Sequence, residues 1–154
     1  MTCLWYYDFP LAGRCGIMED NGGVARVFLA DGSGASDIPR IETDLLCRAA
    51  QQLGEYFTGQ RRLFDLPLSP AGSPFQRQVW DQLLDIPYGA TTSYKALATT
   101  LGRPNSARAV GQAVGANPLP FLIPCHRVIG SDGSITGYAL GIELKRQLLD
   151  LEHQ

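Results

Sequence analysis

Cys125 is the side chain best placed for covalent chemistry, because it lies between Pro124 and His126 in an apolar run and Arg127 follows at once. A thiol becomes a useful nucleophile when a neighbour takes its proton or stabilises the thiolate, and imidazole is the commonest such neighbour. Successive side chains of an extended segment point to opposite sides, so His126 can serve Cys125 only through a turn or a bridging water. The alternative is a buried structural cysteine beside a solvent-facing histidine. The other cysteines, Cys3, Cys15 and Cys47, are irregularly spaced, no Cys-x-x-C pair exists, and His126 and His153 are the only imidazoles. Reduced thiols and no metal site are therefore expected.

A second candidate is a cation on a helix of small residues. In Ser106-Ala107-Arg108-Ala109-Val110-Gly111 the short side chains allow close approach to a nucleic-acid groove, with Arg108 projecting. Small residues serve close helix packing equally well. Thr92 or Ser93 opens a preceding helix through Leu101, and Gly102-Arg103-Pro104-Asn105 breaks it before Ser106 to Val114, which is the outline of a helix-turn-helix. Charge supports a face there. Residues 1–71 hold 6 basic and 9 acidic side chains and the remainder 7 and 6. Between Phe75 and Gly130, Arg77, Lys95, Arg103, Arg108 and Arg127 meet only Asp81 and Asp85.

The elements that must position these residues follow from pattern. Cys3 to Phe9, Arg14 to Glu19 and Val24 to Ala30 read as strands, the last two joined by the hairpin signal Asn21-Gly22-Gly23. After a Gly/Ser-rich loop at 31–37, Leu45, Leu46, Ala49, Leu53, Tyr56 and Phe57 recur at helical spacing, with Thr43 or Asp44 as cap and Gly59 as stop. The proline-rich LFDLPLSPAGSP reads as a linker. Ser73 then caps a helix with Pro74 at its first position and a stripe of Phe75, Val79 and Leu83, running up to Ile86-Pro87-Tyr88-Gly89. FLIPCHRVI reads as extended, and a last helix carries Leu144, Leu148 and Leu151.

The whole is an α+β chain: a small N-terminal antiparallel sheet with a helix in residues 1–71, then a mainly helical domain with a helix-turn-helix in residues 72–154. With 154 residues, 45% hydrophobic and 18% charged, disorder is excluded. A formal charge of -2 excludes a polybasic, histone-like protein. The amino terminus lacks a basic stretch followed by an apolar run, and no segment approaches a membrane span, so a cytoplasmic protein without membrane contact is expected.

The run SYKALATTLGRPNSARAVGQAVGANPLPFLIPCHRVIGSDGSITGY, followed by KRQLLDLE, resembles the O6-alkylguanine-DNA alkyltransferases. PCHRV, the upstream Asn-Pro, the ARAVG helix and the terminal Leu-Leu-x-x-Glu occur in family order, and the likeness covers residues 73–152 well. It implies single-turnover, direct-reversal DNA repair, in which Cys125 takes an alkyl group, chiefly methyl, from O6 of guanine, without a cofactor. The partner it implies is double-stranded DNA approached from the minor groove, with the damaged nucleotide flipped into a monomeric protein.

Carried over by residue, the resemblance makes His126 the acceptor of the thiol proton through a water, Glu152 the group that orients the imidazole, and Asn117 the brace of the turn presenting Cys125. Tyr94 would meet the phosphate and base and donate a proton to the leaving guanine, while Arg108 would fill the vacated stack. Ser93, Ala107 and Gly111 would join Arg108 and Tyr94 on the DNA side. Backbone groups at Val128 and Ala139 would read the guanine edge, with Pro120, Tyr138 and Leu140 lining the pocket.

Two departures stand out. Many members have Gly-Tyr-x-Gly-Gly where this chain has Gly137-Tyr138-Ala139-Leu140-Gly141, so Leu140 is expected to narrow the pocket against bulky groups. Members that bind structural zinc use first-domain cysteines and histidines, and this chain has no histidine there, so no metal is expected. Two other readings compete: a catalytically silent alkyl-lesion sensor, whose known relatives lack the cysteine, and a thiol hydrolase of small substrates, which leaves the helix-turn-helix unexplained.

Overall fold

Asn21 and Gly22, at φ 52° and 77°, form the tight turn that joins two strands with the right-handed twist a hairpin needs. In the computed structural model, which describes residues 1–30 and 37–154, this turn lies between β2 (Gly13–Asp20) and β3 (Gly23–Leu29), and β1 (Cys3–Phe9) precedes them. The Gly/Ser-rich loop expected at 31–37 lies, but for Asp37, outside the described residues. The sheet is antiparallel in the order β1-β2-β3, with Tyr6, Gly16 and Phe28 in one cross-strand row. Gly16 has to be small: a Cβ there would fall 2.4 Å from the Phe28 ring.

Helix α1 (Asp44–Phe57) begins at Thr43, whose side chain accepts from the Leu46 amide. Its apolar stripe buries Leu46, Ala49, Leu53 and Tyr56 with Leu4, Ile17 and Val27 of the sheet. The proline-rich segment is more than a tether. Val24 donates to Pro67 and accepts from Ser69, so the chain adds a one-residue parallel bridge along β3. The buried Gln52 amide meets both backbone groups of Asp65. Met1–Ala71 forms one compact unit and Gly72–Gln154 a second.

The second unit starts with α2 (Pro74–Leu83), opened by a full capping box between Ser73 and Gln76. Val79, Trp80 and Leu83 are buried, and the Trp80 indole donates to the Ala113 carbonyl at 2.8 Å. Phe75 is only half-buried, under the Arg103 guanidinium, so the expected stripe is narrower at its start. The helix ends before Ile86. Then come β4 (Thr92–Ser93), α3 (Tyr94–Thr100) and α4 (Ala107–Gly115), the two helices separated by a turn through Gly102 at φ 75°. Ser93 caps α3 by accepting from Ala96, and α3 and α4 pack as the expected helix-turn-helix pair.

The extended run expected for FLIPCHRVI is corrected by the structure. Residues 119–127 are a chain of tight turns, and only Val128–Ile129 is strand, β5, paired in parallel with β4. Prolines 118, 120 and 124 remove amide donors and fix φ, which rules out a ladder, and Asn117 supplies side-chain bonds that suit turns instead. In α5 (Ile142–Glu152) the interior residues are Leu144, Lys145, Leu148, Leu149 and Glu152, while Leu151 is only half-buried. The expected Leu151 stripe fails because two polar side chains with buried partners occupy the interior face.

Replacing Ser73 by alanine removes one half of the capping box. The expected loss is about 1 kcal/mol of unfolding free energy, read by urea denaturation. An unchanged midpoint would show that Pro74 alone suffices to start α2.

Candidate functional site

Asn117 organises the turn that carries Cys125. Its side-chain oxygen accepts from the Leu119 amide at 2.9 Å and its amide donates to the Ile123 carbonyl at 2.9 Å, so one residue clamps both ends of the intervening loop. Phe121 sits at φ 72°, a left-handed conformation rarely held by a bulky residue, and its ring is buried. Pro124, at φ -78° and ψ 63°, makes an inverse γ-turn in which the Cys125 amide donates to the Ile123 carbonyl at 2.7 Å. Cys125, His126 and Arg127 then form a single 3-10 turn. Neighbouring side chains on such a turn diverge by about 120° rather than 180°. The geometric objection to a Cys125–His126 partnership on an extended strand therefore does not apply.

The sulfur of Cys125 is almost fully buried, and burial pushes its thiol above the ordinary range. Opposing this are the Asn117 side chain, the Lys145 ammonium and the backbone N–H groups of Cys125 and His126, all of which favour the thiolate. Tyr94 is held up in the same way, first by burial and then by the charge of Cys125. Its hydroxyl reaches the Thr136 carbonyl at 3.5 Å.

His126 is fully buried, with Nε2 2.7 Å from Glu152 Oε2. The same carboxylate accepts from Arg127 Nε at 2.7 Å and from its second terminal nitrogen at 3.0 Å, while the first terminal nitrogen donates to the Ile86 carbonyl at 2.7 Å. A carboxylate engaged two-fold by a guanidinium is an acceptor, so the proton in the His126–Glu152 bond belongs to Nε2. That leaves Nδ1 as the basic nitrogen of a neutral imidazole. Burial, first, and the charges of Arg127 and Lys145 together lower the His126 pKa against the opposing pull of Glu152, in keeping with that form.

Arg127 and Lys145 were not assigned site roles from sequence. Arg127 was counted with the basic face, and its burial against Glu152 removes it from there: its charge is spent inside the fold. Lys145 has no exposed surface, and its Nζ donates to the carbonyls of Val128, Thr136 and Gly137. Its signal in sequence was a lysine four residues before the buried Leu149 and in phase with Glu152.

The remaining candidates divide between interior and surface. Pro120 and Val128 are buried, Tyr138 and Leu140 half-buried, and Ala139 exposed, the last three in a turn closed by Gly141 donating to Tyr138. On the helix pair Arg108 is exposed with no ion-pair partner among the described residues, Ala107 is half-buried, and Gly111 faces the Tyr94 ring, where a Cβ would lie 3.4 Å away. Ser93 spends its oxygen on the cap of α3. Arg77, Lys95 and Arg103 are exposed. Among the described residues no cluster of His, Cys, Asp and Glu could hold a metal ion, and no helix is long and apolar enough to cross a membrane.

The depressed His126 pKa sets a pH dependence of stability. Below about pH 6.5 the unfolded chain binds a proton at this residue that the folded chain refuses, so stability falls as pH drops through that value. Unfolding free energy measured from about pH 7.5 to 5.5 should decline more steeply for the wild type than for His126→Gln. Equal slopes would show that His126 takes up its proton without disturbing the fold.

Residues 74–154 match the family described as 6-O-methylguanine DNA methyltransferase, DNA binding domain, and residues 4–70 match its ribonuclease-like domain. A methylated-DNA--protein-cysteine methyltransferase of Methanosarcina barkeri is 54% identical over 153 residues, 96% of each chain. The constitutive enzyme of that name from Bacillus subtilis is 44% identical over 94% of this chain and 92% of its own. Among solved structures, the O6-methylguanine methyltransferase of Mycobacterium tuberculosis superposes with a TM-score of 0.90 at 37% identity, covering 99% of this chain and 93% of that one. The same organism's protein in complex with DNA gives 0.89 at 38%, covering 98% and 92%. With both of its units matched in order and relatives of this identity along nearly its whole length, the chain belongs to the 6-O-methylguanine DNA methyltransferase family.

Proposed function

We propose that this protein repairs O6-alkylguanine in double-stranded DNA by moving the alkyl group, chiefly methyl, irreversibly to Cys125. The observation that carries the reading is the line from the half-buried Asn117 and the buried Cys125 to the buried His126, Glu152 and Arg127, set beside a helix-turn-helix with an exposed arginine, Arg108. The sulfur attacks the alkyl carbon, the S–C bond forms and the C–O6 bond breaks. The thiol proton passes through a water to Nδ1 of His126, and the leaving guanine takes a proton from the Tyr94 hydroxyl. The step leaves an imidazolium at His126 and a tyrosinate at Tyr94; His126 returns its proton to water and Tyr94 regains one from water, so the net proton transfer is from the thiol to guanine. No group here hydrolyses a thioether, so each chain acts once, as a monomer and without a cofactor.

An alkyl carbon on guanine lies inside the duplex stack, so the nucleotide has to be flipped out. We assign Arg108 to the vacated space, with Ala107 and Gly111 permitting a close minor-groove approach and Ser93 and Tyr94 at the entering nucleotide. Pro120, Val128, Tyr138 and Ala139 form the pocket, and Leu140 narrows it in favour of methyl over benzyl. Binding and transfer thus fall to residues 72–154, with residues 1–71 in support. Four free cysteines suit a reducing, cytoplasmic setting.

Intact-mass measurement after incubation with O6-methylguanine DNA should show one permanent methyl gain, mapped to Cys125, and none in Cys125→Ser, which should still bind DNA. No gain would favour a lesion sensor, and turnover with regenerated thiol a hydrolase. Arg108→Ala should slow repair of duplex DNA far more than reaction with the free O6-methylguanine base, because only the duplex requires extrusion. Equal losses on both would make Arg108 a contact without a part in flipping.

A further inference from the structure

We infer that Phe75 and Arg103 form a phosphate anchor for duplex DNA: Arg103 contacts a backbone phosphate, and Phe75 is the positioning residue that holds its guanidinium in place. This rests on the function proposed above. Arg103 occupies the turn between α3 and α4, directly after Gly102 at φ 75°. Its backbone is tied on both sides, the amide donating to the Ala98 carbonyl at 2.8 Å and the carbonyl accepting from the Ser106 amide at 2.9 Å. Its side chain is exposed, yet it is held as well: the guanidinium carbon lies 5.0 Å from the centre of the Phe75 ring on α2. A solvated arginine loses rotamer freedom when it grips a ligand, and here the ring has already restricted it.

The donors of this arginine have no partner in the chain. A guanidinium carries its N–H groups in a fixed fork, and among the described residues those of Arg103 meet no carboxylate and no other protein acceptor. Contact with a ring satisfies none of them. That donor set matches a phosphate, which a guanidinium can meet with two parallel bonds. The surroundings also favour an anion, since Arg77, Lys95 and Arg108 are exposed and Arg108 follows on the first turn of α4. Of these exposed cations only Arg103 lies over a ring among the described residues. Phe75 stays half-buried where Val79, Trp80 and Leu83 of the same helix are buried, which leaves ring surface for the cation. Phosphate contacts fix orientation and register without reading sequence, so this anchor sets how Arg108 meets the base stack.

The test is the salt dependence of binding to an undamaged DNA duplex, measured with the full chain by fluorescence anisotropy. Each phosphate neutralised contributes about 0.9 to the slope of log affinity against log salt. Arg103→Ala should make that slope shallower by about 0.9 and weaken binding at low salt about 10-fold. Phe75→Leu keeps the charge, so its slope should stay near wild type while affinity falls about 2- to 5-fold, the worth of a cation–π contact at an exposed site. Combined with Arg103→Ala, Phe75→Leu should cost nothing more, whereas a phenylalanine that only packs α2 would cost the same with or without the arginine. Arg103→Ala, a surface change, carries the test by itself if Phe75→Leu fails to fold. No salt-dependent binding by the wild type, an unchanged slope in Arg103→Ala, or equal costs of Phe75→Leu in both backgrounds would overturn the inference. A wild-type protein that binds the duplex but never removes methyl from O6-methylguanine DNA would instead overturn the function on which it rests.

Discussion

The Glu152 carboxylate is buried at the end of the last helix, where an ion would be strongly disfavoured without close partners, and two of its partners lie on the turn that carries Cys125. Arg127 and His126 reach it from the turn that carries Cys125, and the Gly89 amide approaches it at 3.5 Å from the connection between α2 and β4. Arg127 extends the network to Ile86. Three segments distant in sequence are thus held at one point. Because a buried ion pair adds little net stability over an apolar replacement, its value here lies in specificity: the turn has one arrangement in which all these groups are satisfied.

The network also decides what the imidazole can do. An acid-base residue in water would be half-protonated near its ordinary pKa, but His126, without solvent and with its Nε2 proton directed at a carboxylate, stays neutral. Its remaining nitrogen is a base throughout the neutral range. Cys125 is under opposed influences, with burial disfavouring the thiolate while the Asn117 amide, two backbone N–H groups and the Lys145 charge favour it. Burial is the largest of these influences, so the sulfur is kept as a thiol.

Local structure was legible in sequence wherever one residue type enforces one geometry. Asn21-Gly22 gave its hairpin, Ser73-Pro74 its helix start, and Gly102 its interhelical break. Of the run 121–129, residues 121–127 are not extended, although an apolar run is the usual mark of a buried strand and led to that expectation. Here three prolines and the two-sided bonding of Asn117 turned it into linked tight turns. Counting charge failed at Arg127 and Lys145 for a different reason. A sequence count treats each cation as solvated, whereas both are interior groups whose partners lie far along the chain: Glu152 for the first, main-chain carbonyls for the second. Leu151 was placed inside by the helical period, but the face it would have shared belongs to Glu152.

That exchange explains how α5 is set. Its first residue follows Gly141, at φ 105°, and no side chain caps it, so beyond the buried Leu144 no polar anchor at the start of the helix fixes its rotation about its own axis. Lys145 and Glu152 do so instead. They are seven residues apart, nearly two full turns, which puts them on one face about 10 Å apart along the axis. Lys145 is held by carbonyls on the loop side and Glu152 by cations on the thiol side. Rotating α5 in either direction would pull both buried charges from their partners at once. The same rigid helix therefore fixes the loop proposed to read the base and the histidine proposed to take the thiol proton, so the two halves of the site are aligned by a single element.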